Sequence, residues 1–490
     1  MYHAIVCRLS AVCPIDGADR IVRAEAAGHT VIVSAERCEG DLGVLFPSEG
    51  VLDLGFARAA GLLARDPETG ERLGGYLDDP PRIRHLRLRG VRSEGVWLAV
   101  EDFCAAASAA LGELVLPGEV EPGQRIDVLV RGSRTLRLCR KWTPRIPRPA
   151  GERRAKTHRE NPLPEIFPQH YDTPQLRSSA DEIPRGARIE LSEKGHGTSG
   201  RVGKVRVPRE LNFAQRAANR IARLFGRCPF DPAPLQVVSG SRRVAFVGRA
   251  AIDAYYRDPF RQQIAEHLGP RLREGEIAYF EVVGFDSQGR PIMAQQEGTK
   301  LPEVRRAYGA TVTYSYGCEQ HGEITGGRPP RRPDAPLGGR ALVCPAPAPR
   351  YRVWLYRVTQ DGRELPPDEV RRRAIELEVE PVPLLDSWTH DNARDTLARA
   401  RLHAEGETGV LPSTVDSRHP REGVVLRATA PYYSEQVRDP VTGEAHGVTR
   451  YGYDRAFKFK SWAFGVLEGY RKAPDREEDE APADEVAEAA

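Results

Sequence analysis

Lys194 stands in "IELSEKGHGTSGR" (189–201), with Gly195 and Gly197 on either side of His196. A lysine at the mouth of so flexible a loop is either a solvated surface cation or a nucleophile for phosphorus. The second role sets demands on the rest of the chain. Nearby cations or a metal must favour loss of the amine proton. Positive charge must also balance the charge that develops on the phosphate oxygens. A carboxylate must hold a metal or a sugar, and something flat must hold a base.

Four later segments offer such groups. In "EIAYFEVVGFD" (276–286), strand alternation puts Tyr279, Glu281 and Val283 on one face and Phe280 and Val282 on the other, so Glu281 is a carboxylate in an apolar strand. In "REGVVLRAT" (421–429), Glu422 repeats the oddity beside Val424 and Leu426. In "RAFKFKSWAFG" (455–465), Lys458 and Lys460 share one strand face while Phe457 and Phe459 anchor the other. Two cations so placed form either a phosphate clamp or a protected edge strand. In "YRVWLYRVT" (351–359), Trp354 and Tyr356 share a face, as core or as a base platform.

Taken in order, Lys-x-His-Gly, Phe-Glu-Val-Val-Gly, an aromatic strand, Glu-Gly-Val-Val-Leu-Arg and Phe-Lys-Phe-Lys resemble the motifs of covalent nucleotidyltransferases, which include RNA ligases, DNA ligases and mRNA capping enzymes. The resemblance spans residues 185–470. DNA ligases and capping enzymes usually carry Asp where this chain has His196, so "EKGHGTS" resembles the RNA ligase branch, and "YSYGCE" (314–319) resembles bacterial members of it.

The resemblance implies ATP with Mg2+ or Mn2+ as cofactors, and it implies three steps. Lys194 attacks the α-phosphate to form lysyl-AMP, AMP passes to a 5′-phosphate RNA end, and a 3′-hydroxyl displaces it. Glu193 accepts from the adenine amino group, and Gly197 lets the loop approach the nucleotide. Arg242, with Arg243 as the alternative, touches the ribose or the RNA end. Glu281 and Glu422 hold ribose hydroxyls or the metal. Tyr356, failing it Trp354, stacks on adenine. Lys458 and Lys460 contact phosphate oxygens, Lys460 the α-phosphate, and the pair together with the divalent metal favours a neutral amine on Lys194. The partners implied are a nicked RNA duplex or paired RNA ends, with end-processing proteins, and the protein acts as a monomer. The alternatives are a DNA ligase or capping-type transferase, and a non-catalytic RNA-binding protein on the same fold.

Elements must hold these groups, and 490 residues are more than one core usually organises. An α+β chain is expected. Residues 1–130 read as short strands of an N-terminal β-barrel similar to OB modules that bind nucleic acid. Residues 131–164 form a basic, Pro-rich linker. Residues 165–472 form the nucleotidyltransferase domain of antiparallel sheets flanked by helices, and 473–490 an acidic disordered tail. DNA ligases and capping enzymes typically place their OB module after the catalytic domain, so its position here also favours the RNA branch. A helix is expected over 212–226, with Phe213, Ala217, Ile221 and Leu224 on one face, and a Gly- and Pro-rich loop between Gly317 and Tyr351. The net charge is only +3, with a basic middle and an acidic end. Eight cysteines without a Cys-x-x-Cys pair argue against a zinc knuckle or a disulfide framework and read as reduced, mostly buried thiols. No apolar run reaches membrane length, so a cytoplasmic protein is expected.

Overall fold

The computed structural model describes residues 2–142, 161, 163–246, 258–324, 348–430, 432–438, 445–451 and 454–469. The centre of the basic linker, most of the insertion before Tyr351 and the acidic tail lie outside the described residues.

The N-terminal strands follow in sequence because Gly and Asp-Gly turns separate short runs of Val, Ile and Leu. They pair antiparallel in the order His29–Ser34, Ala18–Ala26, Ala4–Ile15, Leu42–Pro47, Gly95–Ala99, and Arg125–Ile126 adds to the Ala4–Ile15 strand. The sheet curls around two cores. Val6, Val44 and Phe46 meet Phe103 and Ala107 of the helix Val100–Leu111, while Leu9, Val31, Leu45 and Trp97 fill the other side.

A closed barrel is not formed; among the described residues this is a half-barrel whose end strands share no ladder. The reason lies at Glu94. Its N–H donates to the Thr30 carbonyl at 2.8 Å, but the Thr30 N–H donates to the Glu94 carboxylate at 3.0 Å, so a side chain stands where a strand carbonyl would close the sheet. The basic segment after residue 131 begins as strand. Arg134–Arg137 pairs with Val128–Arg131, and Cys139–Lys141 pairs with Gly50–Leu52.

Two further sheets follow. One has the order Leu384–Thr389, Arg188–Glu193, Gly423–Thr429, Asp454–Lys460, all antiparallel. The other runs Ala245–Phe246, Leu235–Gly240, Thr198–Arg206, Glu276–Gly284, Tyr351–Gln360, Arg363–Glu364, with Glu380–Pro381 added in parallel to Tyr351–Gln360. Helices Phe260–Leu268 and Pro367–Glu376 cover the second sheet, so the chain is mixed α+β with mainly antiparallel sheets. Residues 194–197 are the corner where the chain leaves the first sheet for the second.

The alternations expected of the Glu281 and Phe-Lys-Phe-Lys strands hold. Phe457 and Phe459 enter the core with Leu191, Val424 and Leu426, while Phe280 and Val282 pack with Val353 and Leu355. Full burial of each such side chain contributes about 1.5–3 kcal/mol, which fixes which way the intervening Lys and Glu residues must face.

The helix Phe213–Arg223 forms where its periodicity predicts, capped by Asn212, whose side chain accepts the Gln215 N–H at 2.8 Å. Its apolar stripe is not core, however. Phe213, Ile221 and Leu224 are 84%, 63% and 82% exposed, and the helix is held by its buried Asn219 side. The described cysteines are all free thiols, yet Cys13, Cys38 and Cys228 are exposed and Cys7 is half-buried, so the expectation of mostly buried thiols fails for these four. Among the described residues no helix is long and apolar enough to cross a membrane.

The N-terminal sheet is tied to the later ones through a buried ion cluster. Arg177 lies 3.1 Å from Glu94 and 3.3 Å from Glu405, with all three side chains buried, and its guanidinium also donates to the Lys460 carbonyl at 3.2 Å.

Candidate active site

The first sheet carries Lys194, Glu422 and Lys460 to one place through its register. The Lys194 N–H donates to the Gly423 carbonyl at 3.0 Å, and Gly423 pairs with Lys460 on the next strand. The Lys194 and Lys460 backbones are thus two strand spacings apart, roughly 10 Å. The half-buried Lys194 Nζ lies 2.7 Å from Glu422 Oε1, and Glu422 is 2% exposed.

The second sheet supplies Glu281, which accepts from Ser199 Oγ at 2.9 Å and acts electrostatically on Lys194. Burial pushes the Lys194 pKa down, but the Glu422 and Glu281 carboxylates outweigh it and the net shift is upward; Lys460 opposes them weakly. Lys460 acts on Lys194 in the direction expected of the cation field, but by itself it does not outweigh the carboxylates.

The depressed amine is Lys458 instead. Burial lowers its pKa to about 8, and Lys141 and Lys460 push in the same direction. Lys460 bonds to two carboxylates, Glu49 Oε1 at 3.1 Å and Glu468 Oε2 at 2.7 Å. Glu49 comes from the turn between the N-terminal strands Leu42–Pro47 and Gly50–Leu52, where it holds φ at +76°. The N-terminal half therefore reaches the cationic side of the site.

The glycines around His196 answer to tight packing against the neighbouring sheet. A Cβ on Gly197 would overlap the Val282 carbonyl oxygen, and one on Gly195 would stand 3.0 Å from the Trp354 ring. His196 is buried, its Nδ1 3.8 Å from Glu422 Oε2 and its ring edge-on to Tyr314 and Phe464. Glu193 is 1% exposed. One of its oxygens accepts the Thr414 N–H at 2.8 Å, while Oε1 is buried with no hydrogen bond.

The two aromatic candidates differ. Trp354 pairs across from Glu281 but is 1% exposed, covered by Gly195 and by Tyr316 with ring centroids 5.0 Å apart. Tyr356 sits in a register break of the same strand, so it projects separately, and its hydroxyl meets His170 Nδ1 at 2.6 Å. Burial and then Glu281 raise the Tyr356 pKa, and Arg242 is among the cations acting on it. Arg242 itself pairs with exposed Asp172 at 3.3 Å.

Lys194, Glu193, Glu281, Glu422 and Lys460 are thus brought together, with Lys458 on the same side and Tyr356 and Arg242 beyond Glu281. Sequence reasoning missed Glu49, Lys141, His170 and Tyr316. Glu49 and Lys141 carry no local signal, since Ser-Glu-Gly is an ordinary turn and Lys141 lies in a basic run. Tyr316 stood in a noted motif without a role.

Among the described residues no three His, Cys, Asp or Glu side chains cluster into a metal cage. Glu281 and Glu422 are nonetheless hard oxygen donors that both act on the lysine. They fit a cation that takes one or two protein carboxylates and fills its shell with phosphate oxygens and water.

No family model and no curated protein matches the chain. Solved structures do. A point mutant of the Naegleria gruberi RNA ligase with AMP and Mn aligns at TM-score 0.50 and 16% identity over 96% of this chain and 99% of that chain. Another mutant of that ligase, with ATP and Mn, aligns at 0.48 and 16% over 94% and 98%, and the ligase with PPi at 0.48 and 17% over 95% and 98%. The likeness to the structure with AMP covers nearly all of both chains, so this chain shares the overall fold of the Naegleria gruberi RNA ligase.

Proposed function

We propose that the protein is an ATP-dependent RNA ligase that joins 3′-hydroxyl and 5′-phosphate RNA ends through lysyl-AMP and RNA-adenylate, sealing nicks in RNA repair. The observation that carries the reading is the contact of Lys194 Nζ with Glu422 Oε1 at 2.7 Å, at a corner that Glu281 and Lys460 also face. A solvated surface lysine would have no reason to hold a buried carboxylate at 2.7 Å and to feel a second one from the neighbouring sheet. The neighbouring fold adds support, because the Naegleria gruberi ligase that shares it is recorded with AMP and Mn.

In this reading the ammonium of Lys194 gives one proton to Glu422, the amine attacks the α-phosphorus of ATP, and the second proton lost from Nζ leaves with the pyrophosphate. A bond forms between Nζ and phosphorus, and the bond from phosphorus to the pyrophosphate oxygen breaks with its electron pair. Lys460 leaves Glu49 and Glu468 to face the α-phosphate, and Lys458 contacts a neighbouring oxygen. Glu281, and Glu422 while it is ionised, would hold Mg2+ or Mn2+, which when bound neutralises phosphate charge and offsets the carboxylate field that keeps Lys194 protonated. Glu193 Oε1 accepts from the adenine amino group, the half-buried Tyr356 is the better placed ring for stacking, and Arg242 faces the ribose or the RNA end.

The N-terminal part, residues 1–130, is the RNA-binding module of this proposal, and 165–472 the adenylyltransferase. The decisive substrate test is sealing of a 5′-phosphate nick in an RNA duplex with ATP and Mn2+, compared with a DNA nick and with GTP. Preference for RNA and ATP supports the ligase. Sealing of DNA alone, or transfer from GTP alone, contradicts it.

A further inference from the structure

The segment Tyr314–Gly317 follows the strand Thr311–Val312, and Tyr316 within it is 0% exposed with φ at +50°. That region strains a bulky L-residue and persists only where neighbours hold it. The neighbours are specific. Ser315 Oγ and the Gly317 N–H donate to Asp416 Oδ2 at 2.6 and 2.8 Å, and the Tyr316 N–H donates to His419 Nε2 at 3.2 Å. His419 Nδ1 lies 3.0 Å from the Pro420 carbonyl, so the imidazole is neutral, donating from Nδ1 and accepting at Nε2; burial lowers its pKa in agreement.

All this framing directs one hydroxyl. Tyr316 Oη accepts the backbone N–H of His196 at 2.6 Å, two residues beyond the nucleophile, while its ring packs edge-on against Trp354, the ring beneath Gly195. The same stretch of chain that carries Asp416 and His419 also supplies Thr414 to Glu193 and Glu422 to Lys194. One run of nine residues, 414–422, therefore touches the nucleophile's corner directly and again through Tyr316.

Building on the ligase reading, we propose that Tyr316 is a positioning residue for the first chemical step: its hydroxyl fixes the 194–197 backbone so that Lys194 Nζ is presented to Glu422 and to the phosphorus. Tyr316 makes no bond to substrate. Its effect is confined to the step in which Lys194 attacks, because the final joining of an adenylylated RNA end uses the 3′-hydroxyl as nucleophile and forms no bond to Lys194.

The test uses the full chain with Tyr316→Phe, which keeps the ring and removes the hydroxyl. Two rates are measured: label transfer from α-labelled ATP to protein, and ATP-free joining of a chemically pre-adenylylated 5′ RNA end across a nick. The expected result is a drop of about tenfold or more in the first, with the second within about threefold of wild type. An unchanged first rate, or an equal fall in both, overturns the proposal. If Tyr316→Phe does not fold, His419→Leu, which releases the Tyr316 N–H but spares ring and hydroxyl, is read in the same way. If wild type takes up no label at all, the ligase reading falls rather than the role of Tyr316 within it.

Discussion

Lys194 and Lys458 lie in one sheet, separated only by the strand Gly423–Thr429, yet their surroundings move them in opposite directions. Lys194 is on the anionic side, where Glu422 and Glu281 overcome burial and hold the ammonium. Lys458 is on the cationic side, where burial with Lys141 and Lys460 brings its pKa to about 8. The difference teaches that the resting site stores its nucleophile protonated. In the proposed reaction, positive charge brought by the divalent metal offsets the carboxylates before attack, while the lysine proposed to face phosphate is the one already made easier to deprotonate.

The largest effect is expected where the cationic side is braced. Arg177 is buried between Glu94 and Glu405 and supports the Lys460 carbonyl, so Arg177→Met leaves Glu94 with the more distant Arg401 and Glu405 with Arg92. A loss of about 3–5 kcal/mol is expected in urea unfolding. A midpoint equal to wild type would show that the cluster does not bind the two halves together. The cluster also has a pH signature. Burial raises the Glu94 pKa, but Arg177 and then Arg401 hold it well below the usual carboxylate range. Its stabilising contribution is complete above the ordinary glutamate pKa and is lost as pH falls from there through the lowered value.

Next is the anionic side. Glu422→Gln removes the carboxylate that grips Lys194 and is expected to slow adenylylation about 10²–10³-fold in single turnover. A rate within threefold of wild type would remove Glu422 from the chemistry.

The cationic side gives a subtler test. Lys458 is charged below about pH 8, so nucleotide affinity is expected to weaken as pH rises through that value. Because the folded pKa lies below the usual lysine value, the same group costs stability while charged, and the cost is relieved as pH rises through about 8. Lys141→Met removes one of the neighbouring cations and is expected to move the alkaline limb of a binding profile to higher pH. An unmoved limb would mean that burial alone sets Lys458.

The smallest expected effect is at Glu49. Glu49→Gln removes one carboxylate from Lys460 and leaves Glu468, and is expected to lower the KM for ATP about two- to threefold, in the range of a partly exposed ion pair. A higher KM would mean that Glu49 helps to hold the nucleotide.

Much of this was legible in the chain because strand periodicity is local. Alternating Phe and Lys in 457–460 could only bury the rings by presenting the lysines, and Glu281 and Glu422 announced themselves as carboxylates in apolar strands. What could not be read was which charges face each other across strands. The pKa of Lys194 depends on register with Gly423 and on the distance to Glu422, neither of which spacing encodes. The half-barrel escaped for a similar reason, since a single carboxylate, Glu94, takes the place of a closing ladder. Tyr356 separated from Trp354 through a register break that period-two counting does not anticipate.

The central claim is that the Lys194 amine carries AMP. Wild-type protein incubated with α-labelled ATP and Mn2+ is predicted to take up label through an acid-labile, alkali-stable phosphoramidate on Lys194, and Lys194→Ala to take up none. Equal labelling of Lys194→Ala, or no labelling of the wild type with metal present, would contradict the account.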